Sequence, residues 1–330
     1  MDGQKILKTL TYGWTKIKSG TSKWWGIIRG YIFKENKKDR ILVTGGAGFI
    51  GHHLANELYR LGHEVHVWDN LSVGKKERLN GGIIFEELDI LGVVPHFNFD
   101  VVFHLASPTS VPESLENPEK YKEGCYDMTK RVVDLCRVYS VREMVFSSTS
   151  AVYGDTNEFP TKETSELNPL SPYAQYKLVA ERLIESVNPH TDLKFTVCRF
   201  FNVFGEEQHD SGSYAPAVAI FLKQYRDNKD LTVTGDGMQT RDYIYVKDVV
   251  EFLVRTINQR KYKRETFNLG YGQDTTILSI AQTLNHPITY IPQRMEPKKS
   301  LADITKAKRM FKWHPKVSVK EWISEKTKNG

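Results

Sequence analysis

This chain of 330 residues lacks any apolar run long enough to cross a bilayer. The longest stretch near its N-terminus, around Trp24 to Ile28, is stopped by Arg29, well short of the roughly 20 residues a spanning helix needs. A secretory leader is not expected, because no continuous apolar segment precedes a small-residue cleavage site. Cysteine is scarce: Cys125, Cys136 and Cys198 are scattered without metal-ligand spacing, and an odd number cannot all pair within one chain. They read as reduced structural thiols in a cytoplasmic protein, and no metal site is expected. Internal repeats and low-complexity tracts are lacking too. The body of the chain has no excess of either charge, since residues 40–330 carry 37 basic and 37 acidic side chains. Binding a nucleic-acid backbone requires concentrated Lys and Arg, so no DNA or RNA partner is expected.

The net charge of +6 resides in residues 1–39, where eight lysines and Arg29 face only Asp2, Glu35 and Asp39. Ile6, Leu10, Trp14 and Ile17 recur at helical spacing, and Trp25, Ile28 and Ile32 suggest a second short amphipathic turn. Such a segment suits an anionic membrane surface, with tryptophans among the headgroups and lysines on the phosphates. Packing on its own body, on a second subunit or on another protein is the competing reading, because amphipathicity alone does not choose a partner.

From Arg40 the pattern becomes alternating strands and helices. Apolar runs at Ile41 to Val43, Val65 to Trp68, Val101 to Leu105 and Met144 to Phe146 are separated by helical stretches such as Ile50 to Leu61 and Tyr121 to Tyr139. This predicts an α/β fold, a doubly wound parallel sheet with helices on both faces. The expected organisation is a basic extension (1–39), a dinucleotide-binding domain carrying the catalytic residues (40–200), and a smaller, mainly substrate-binding lobe (201–330) with segments returning to the first domain.

Directly after the first strand comes Thr44-Gly45-Gly46-Ala47-Gly48-Phe49-Ile50-Gly51, with glycines spaced G-x-x-G-x-x-G before a helix. Glycine permits the tight turn and close approach of backbone to a pyrophosphate, and the helix start offers free amides. The glycine triplet gains weight from its place between strand and helix and from an acidic residue downstream. That residue is Asp69, followed by Asn70, at the end of the second strand; its carboxylate suits the adenosine ribose hydroxyls and disfavours a 2′-phosphate, so NAD is expected over NADP. Lys75 and Lys76 nearby would soften that rejection. Asp89 and Ile90, after the third strand, stand where the adenine edge would lie, or are an ordinary strand end.

Ser171-Pro172-Tyr173-Ala174-Gln175-Tyr176-Lys177 reads as a helix start, with Ser171 as N-cap and Pro172 in the first turn. Tyr173 and Lys177, four apart, share a helix face. A lysine ammonium near a phenol favours the phenolate, which makes Tyr173 a usable base. The hydroxyl-rich segment Ser147 to Gly154 ends a strand two dozen residues earlier, and Thr149 there would hydrogen-bond the same substrate oxygen that Tyr173 deprotonates.

These features together resemble the extended short-chain dehydrogenase/reductase family, in its NAD-dependent nucleotide-sugar epimerase/dehydratase group. The resemblance runs from about Arg40 to the C-terminus. It is carried by Thr44 to Gly51, Asp69, His104-Leu105-Ala106, Ser148 to Gly154, Tyr173 with Lys177, Arg199 to Gly205, and Gln239-Thr240-Arg241-Asp242-Tyr243. It implies a Rossmann-type domain with NAD on Gly45, Gly48, Phe49, Ile50, Gly51, Asp69, Asn70, Asp89, Ile90, Leu105, Ala106, Tyr173 and Lys177. It places a UDP-sugar against Ser107, Thr149, Ser150, Asn202, Arg241, Arg294 and Ser300, with Tyr214 to Ala217 also along the cleft. Arg241 would pair with the diphosphate, as guanidinium suits phosphate oxygens, or form an ion pair with Asp242 or another neighbour. The segment from Arg294 to Ser300 is one residue shorter than the usual pattern. A small residue at Ser300 would admit an N-acetyl group at the sugar's C2. A homodimer through a helix bundle that includes the Tyr173 helix is implied as well.

Members of this group share oxidation at C4 of the sugar and differ in the fate of the resulting ketone. The resemblance assigns an Asp-Glu pair after the threonine to dehydratases and a Glu at the second of those places to UDP-glucuronate decarboxylases; here Ser150 and Ala151 stand there. Without that carboxyl group, elimination has no evident proton carrier, whereas 4-epimerisation needs none. Ser110 to Ser114 and Ser171 to Tyr173 also resemble epimerase segments. The expected activity is therefore UDP-sugar 4-epimerase, on UDP-N-acetylglucosamine, UDP-glucose or UDP-glucuronate. UDP-glucuronate decarboxylase is the alternative: His104-Leu105-Ala106-Ser107-Pro108 is similar to those enzymes, and Cys125 replaces an asparagine found in many relatives. A non-catalytic NAD-binding sensor or scaffold is a third reading, which intact Thr149, Tyr173 and Lys177 argue against.

Overall fold

The computed structural model describes residues 38–92, 96–187, 192–209, 216–259, 262–293 and 296–328. The chain divides into residues 1–38 and a compact unit, Asp39–Gly330. The helices expected before Arg40, and the expected site residues Tyr214 and Arg294, lie outside the described residues.

Seven parallel strands build the main sheet: β1 (Arg40–Thr44), β2 (Glu64–Asp69), β3 (Ile84–Glu87), β4 (Val101–His104), β5 (Glu143–Thr149), β6 (Lys194–Phe200) and β10 (Arg264–Leu269), in the order β10-β6-β5-β4-β1-β2-β3. Helix α1 (Phe49–Arg60) follows β1. Helices α2 (Val111–Glu116) and α3 (Pro118–Tyr121) lead through a π-helical turn, Lys122–Asp127, into α4 (Met128–Val138). Helix α5 (Pro172–Ser186) joins β5 to β6.

The apolar strand runs seen in the sequence are explained by burial on both sheet faces, as expected for a parallel sheet. Successive residues alternate sides. Ile41, Val43, Phe103 and Val145 enter one core with Leu54 and Leu58 of α1, while Leu42, Val102, Met144 and Phe146 enter a second with Val132 of α4 and Ala180 and Ile184 of α5. Because β1 pairs with β2 on one side and β4 on the other, the strand order reverses at β1, and the loops leaving β1 and β4 diverge there. A crevice opens at such a switch point, at the C-terminal ends of the strands.

Beyond β6 the chain leaves the sheet. Short β7 (Asn202–Phe204) pairs with β9 (Thr240–Tyr245), which pairs with β11 (Asp274–Thr276), and β8 (Leu231–Thr234) pairs with β12 (Ile288–Ile291). With helices α6 (Ala217–Arg226), α8 (Ile277–Thr283) and α10 (Val319–Lys328) they enclose a third core around Phe204, Phe221, Val233 and Trp322. The intervening α7 (Val246–Thr256) and the later α9 (Thr305–Phe311) contribute Phe252 and Phe311 to the first core, beside Phe267 of β10. No helix among the described residues is long and apolar enough to cross a membrane.

A buried polar network fastens α5 to the sheet. Arg199 of β6 donates to both carboxylate oxygens of Glu181 of α5, at 2.7 to 3.2 Å, and to the Tyr153 hydroxyl at 2.9 Å. Glu181 also accepts from the Ser148 hydroxyl of β5, and Tyr153 donates on to Asn268 of β10 at 2.6 Å. The two charged side chains are 4% and 1% exposed, so removing one strands the other in the interior. Arg199→Ala should lower unfolding free energy in a denaturant titration by about 3 to 5 kcal/mol, the usual cost of breaking a buried pair, while Glu181→Leu with Arg199→Met should recover part of that loss.

Candidate active site

The loop after β1 is built for close backbone approach. Gly45 has φ +67°, and a Cβ there would lie 2.6 Å from the Ala106 nitrogen, at the opposite wall of the crevice. At Gly51 a Cβ would come within 2.1 Å of the Gly45 carbonyl oxygen. Gly48 is the N-cap of α1 and offers no side-chain cap; the first turn, with Phe49 and Ile50, contains no acid. The amides at this helix start are thus available to an anion, and the dipole favours one. Packed this tightly on itself and on the end of β4, the loop presents the amides of the helix start to a pyrophosphate.

Asp69 closes β2 beside that loop. Its carboxylate accepts from Ala47 N at 3.0 Å and Leu71 N at 2.9 Å, which fixes it at the crevice. Asn70 is exposed and caps its own turn through Ser72 N. Asp89 is exposed and does the same for Leu91 N, whereas Ile90 is buried in the second core. Leu105 and Ala106 follow β4. His104 holds that strand end: Nδ1 lies 2.7 Å from the Thr44 hydroxyl and Nε2 3.1 Å from that of Thr129. Complete burial, with the Lys177 charge, pushes the imidazole down to about 3, so it is a neutral strut.

The chemical end assembles at the top of β5. Ser171 caps α5 by accepting from Ala174 N at 3.2 Å, with Pro172 at the first position, as the sequence suggested. This sets Tyr173 and Lys177 on the face against β5. The Tyr173 phenol lies near the Thr149 hydroxyl, and Lys177 Nζ donates to the Ser147 carbonyl at 2.8 Å. Tyr173, Thr149 and Lys177 are all buried.

Their acidities differ from the simple expectation of a lysine-lowered phenol. Burial, reinforced by the Cys125 thiol, pushes the Tyr173 phenol well above its ordinary value, and the neighbouring Thr149 side chain only partly opposes this. Burial likewise lowers the Lys177 ammonium, with Cys125 and Glu181 opposing. Lys177 is committed to the Ser147 carbonyl. Tyr173 shares an apolar cluster with Tyr121 and Cys125, against which Ala151 and Tyr176 pack, and the Tyr121 hydroxyl donates to Glu113 at 2.9 Å. Cys125 arrives on the π-helical turn, a local insertion often found beside functional sites. Ser107 Oγ donates to the Pro108 carbonyl at 2.8 Å and sits 3.3 Å from Cys125 Sγ. Ser150 begins the 3₁₀ turn after Thr149.

A cavity of about 310 Å³ lies among β7, α6, β8 and β9, lined by Asn202, Phe204, Ala217, Phe221, Arg241 and Tyr243, among others. Asn202 Nδ2 donates to the Asp242 carbonyl at 3.2 Å. Arg241, only 12% exposed, pairs with Glu296 at 2.6 Å, and both line the cavity. Asp242, one of the partners the sequence left open for Arg241, instead turns its carboxylate to the amides of Tyr271, Gly272 and Ala302; burial still raises it to about 6. Ser300 N donates to the Thr240 carbonyl at 3.1 Å, beside Arg241 in sequence.

Sequence reasoning missed Glu181 and Glu296, and named Arg199 only within a resembling segment without its partner Glu181. Glu181 had a local signal, since it lies four residues beyond Lys177 on the same helix face. The partnership of Arg241 with Glu296 spans 55 positions and leaves no pattern to read.

Residues 41–270 match the NAD dependent epimerase/dehydratase family. The UDP-glucose 4-epimerase of Thermotoga maritima, solved with UDP-glucose, superposes with a TM-score of 0.81 at 35% identity, covering 88% of this chain and 97% of that one. The UDP-N-acetylglucosamine 4-epimerase of Methanobrevibacter ruminantium, solved with UDP-N-acetylmuramic acid, has a TM-score of 0.81 at 31% identity, covering 88% and 100%. UDP-glucuronic acid decarboxylase 1 of Danio rerio is 34% identical over 310 residues, 89% of this chain and 73% of its own. A match over most of its length places the chain in the NAD dependent epimerase/dehydratase family, with NAD as its cofactor.

Proposed function

We propose that the chain is a UDP-sugar 4-epimerase, and that NAD lies along the Gly45–Gly51 loop with its adenosine ribose on Asp69. The observation that carries this reading is the buried set of Tyr173, Thr149 and Lys177 at the top of β5, with Ala151 packed against the apolar cluster that holds Tyr173. Asn70, Asp89 and the Ile90 backbone border the adenosine, and Leu105 and Ala106 the nicotinamide half. NAD, when bound, supplies a reversible two-electron acceptor for the hydrogen on C4 of the sugar.

Tyr173 takes the C4 hydroxyl proton while Thr149 holds that oxygen, and Lys177 provides positive charge that favours the phenolate. The resulting 4-keto sugar turns over in the cleft. The hydrogen returns to its other face, Tyr173 gives back the proton, and the configuration at C4 is inverted with no net redox change. Asn202, Arg241 and the residues around Ala217 hold the nucleotide, with the diphosphate replacing Glu296 as the partner of Arg241. Arg294 is proposed for the nucleotide, Ser107 and Ser150 for the sugar, and Ser300 for the space at C2.

UDP-glucuronate decarboxylation is the second reading, supported by the likeness to the Danio rerio enzyme and by the His104 to Pro108 segment. Ala151, packed against Tyr173, favours the epimerase. The proposed organisation is the basic extension (1–39), the cofactor domain (40–200) and the substrate lobe (201–330), in a homodimer. Exposed Val179 on α5 and Leu115 on α2 support pairing through that helix bundle. The protein is proposed to be cytoplasmic, with residues 1–39 meeting an anionic membrane surface.

Proton NMR of the protein with NAD and, separately, UDP-N-acetylglucosamine, UDP-glucose and UDP-glucuronate should show the C4 epimer of at least one; UDP-xylose from UDP-glucuronate would establish the second reading instead. Tyr173→Phe should lower kcat by about 10² to 10⁴-fold, the usual contribution of a positioned acid/base, with KM little changed. Because burial raises the phenol, wild-type kcat should climb with pH on the alkaline side, and Lys177→Met should displace that rise to higher pH. Gly51→Ala, whose methyl would collide with the Gly45 carbonyl, should weaken NAD binding by about tenfold or more in a fluorescence titration.

A further inference from the structure

At the β3 edge of the sheet, away from the catalytic groups, three side chains converge with no part in the chemistry above. One ring nitrogen each of His66 and His96 and one carboxylate oxygen of Glu86 all lie within 4.8 Å of one another. His66 is on β2, Glu86 on β3, and His96 precedes β4. His96 Nε2 is 3.6 Å from Glu86 Oε1. Two of the polar atoms here are buried without a hydrogen-bond partner, His66 Nδ1 and Glu86 Oε2. The His66 side chain is only 4% exposed, so its Nδ1 has no water to turn to. Leaving such an atom unmade costs free energy, and it calls for an explanation.

The other side of the ring supplies one. His66 Nε2 is 3.2 Å from Glu64 Oε1, and the same oxygen accepts from Arg40 Nε at 2.8 Å. A carboxylate can only accept here, so the imidazole donates through Nε2 and leaves a lone pair on Nδ1. Such a carboxylate–histidine arrangement orients metal-ligating histidines and fixes their tautomer. We propose that His66 Nδ1, Glu86 and His96 bind a divalent transition metal of the zinc class, with water as the fourth ligand. Two imidazoles and one carboxylate are a borderline N/O set suited to zinc and unlike the oxygen cages of calcium or magnesium.

Metal–ligand bonds of about 2.0 to 2.1 Å place tetrahedral ligand atoms about 3.4 Å apart. The His96–Glu86 separation already approaches this, and half-exposed His96 is free to close the remaining gap. The ion would tie edge strand β3 and the segment before β4 to β2. His66 stands three residues before Asp69 and Glu86 three before Asp89, so the same tie would steady the adenosine end of the cofactor cleft.

The test uses the full chain, stripped with a chelator and titrated with zinc alone against a chromophoric competitor, with cobalt(II) as a spectroscopic probe. One equivalent should bind, raise the thermal midpoint and give the visible bands of four-coordinate cobalt with nitrogen and oxygen ligands. His96→Ala, at an exposed position that leaves folding intact, should weaken binding by about tenfold or more, and Glu86→Gln should do the same. Absence of binding by the wild type would overturn the proposal, as would unchanged affinity in both variants, which would place the ion elsewhere. Neither result bears on epimerisation, whose residues lie outside this cluster.

Discussion

The buried pair of Glu181 and Arg199 is the constraint on which the active site rests. Tyr173 and Lys177 act on a substrate held by Thr149, yet the first two belong to α5 and the third to β5. Apolar burial between a helix and a sheet is non-directional and does not by itself fix which polar groups meet. The Glu181 carboxylate fixes them. It grips Arg199 of β6 and the hydroxyl of Ser148, the residue before Thr149, and Arg199 reaches through Tyr153 to Asn268 of β10. One turn of α5 is thereby tied to three strands, and Lys177, one turn earlier, is set on the Ser147 carbonyl. Each charge is tolerated in the interior because every strong donor and acceptor around it is matched.

The same sheet end serves two tasks by different means. At the switch point between β1 and β4, chemistry depends on absent side chains: without Cβ atoms at Gly45 and Gly51 the loop packs closely on itself and on the end of β4, and the uncapped start of α1 leaves amide donors for phosphate oxygens. At the top of β5 the chemistry depends instead on dense packing. There burial raises the Tyr173 phenol and lowers the Lys177 ammonium, so the phenol holds its proton more tightly than in water and the ammonium less tightly. Ala151, packed against the apolar cluster of Tyr121, Cys125 and Tyr173, offers no carboxyl group of its own to carry a further proton, which favours return of hydrogen to the ketone.

Much of this was legible in the sequence where the signal is local. The glycine spacing, the Ser171 cap, and the four-residue step from Tyr173 to Lys177 each act within one turn or loop, so chain order alone displays them. The alternating strands and helices were legible for the same reason, since periodicity follows from burial. What the sequence hid are pairings between distant positions. Arg241 read as a phosphate ligand or a partner of Asp242, but its ion pair is with Glu296, and Asp242 is consumed by three backbone amides. His66, Glu86 and His96 have no ligand-like spacing, because β-sheet pairing rather than sequence brings them together. The acidity of Tyr173 was also hidden: a lysine four residues away suggests a lowered phenol, and only burial shows that desolvation wins.

Transient oxidation at C4 with return of the same hydrogen is the central step of the proposed reaction. A UDP-sugar carrying deuterium at C4, incubated in ordinary water with the protein and NAD until the epimers equilibrate, tests this most directly by NMR. Both epimers should retain full deuterium at C4. Replacement of that deuterium by solvent hydrogen, or release of carbon dioxide from a glucuronate substrate in place of epimerisation, would contradict it.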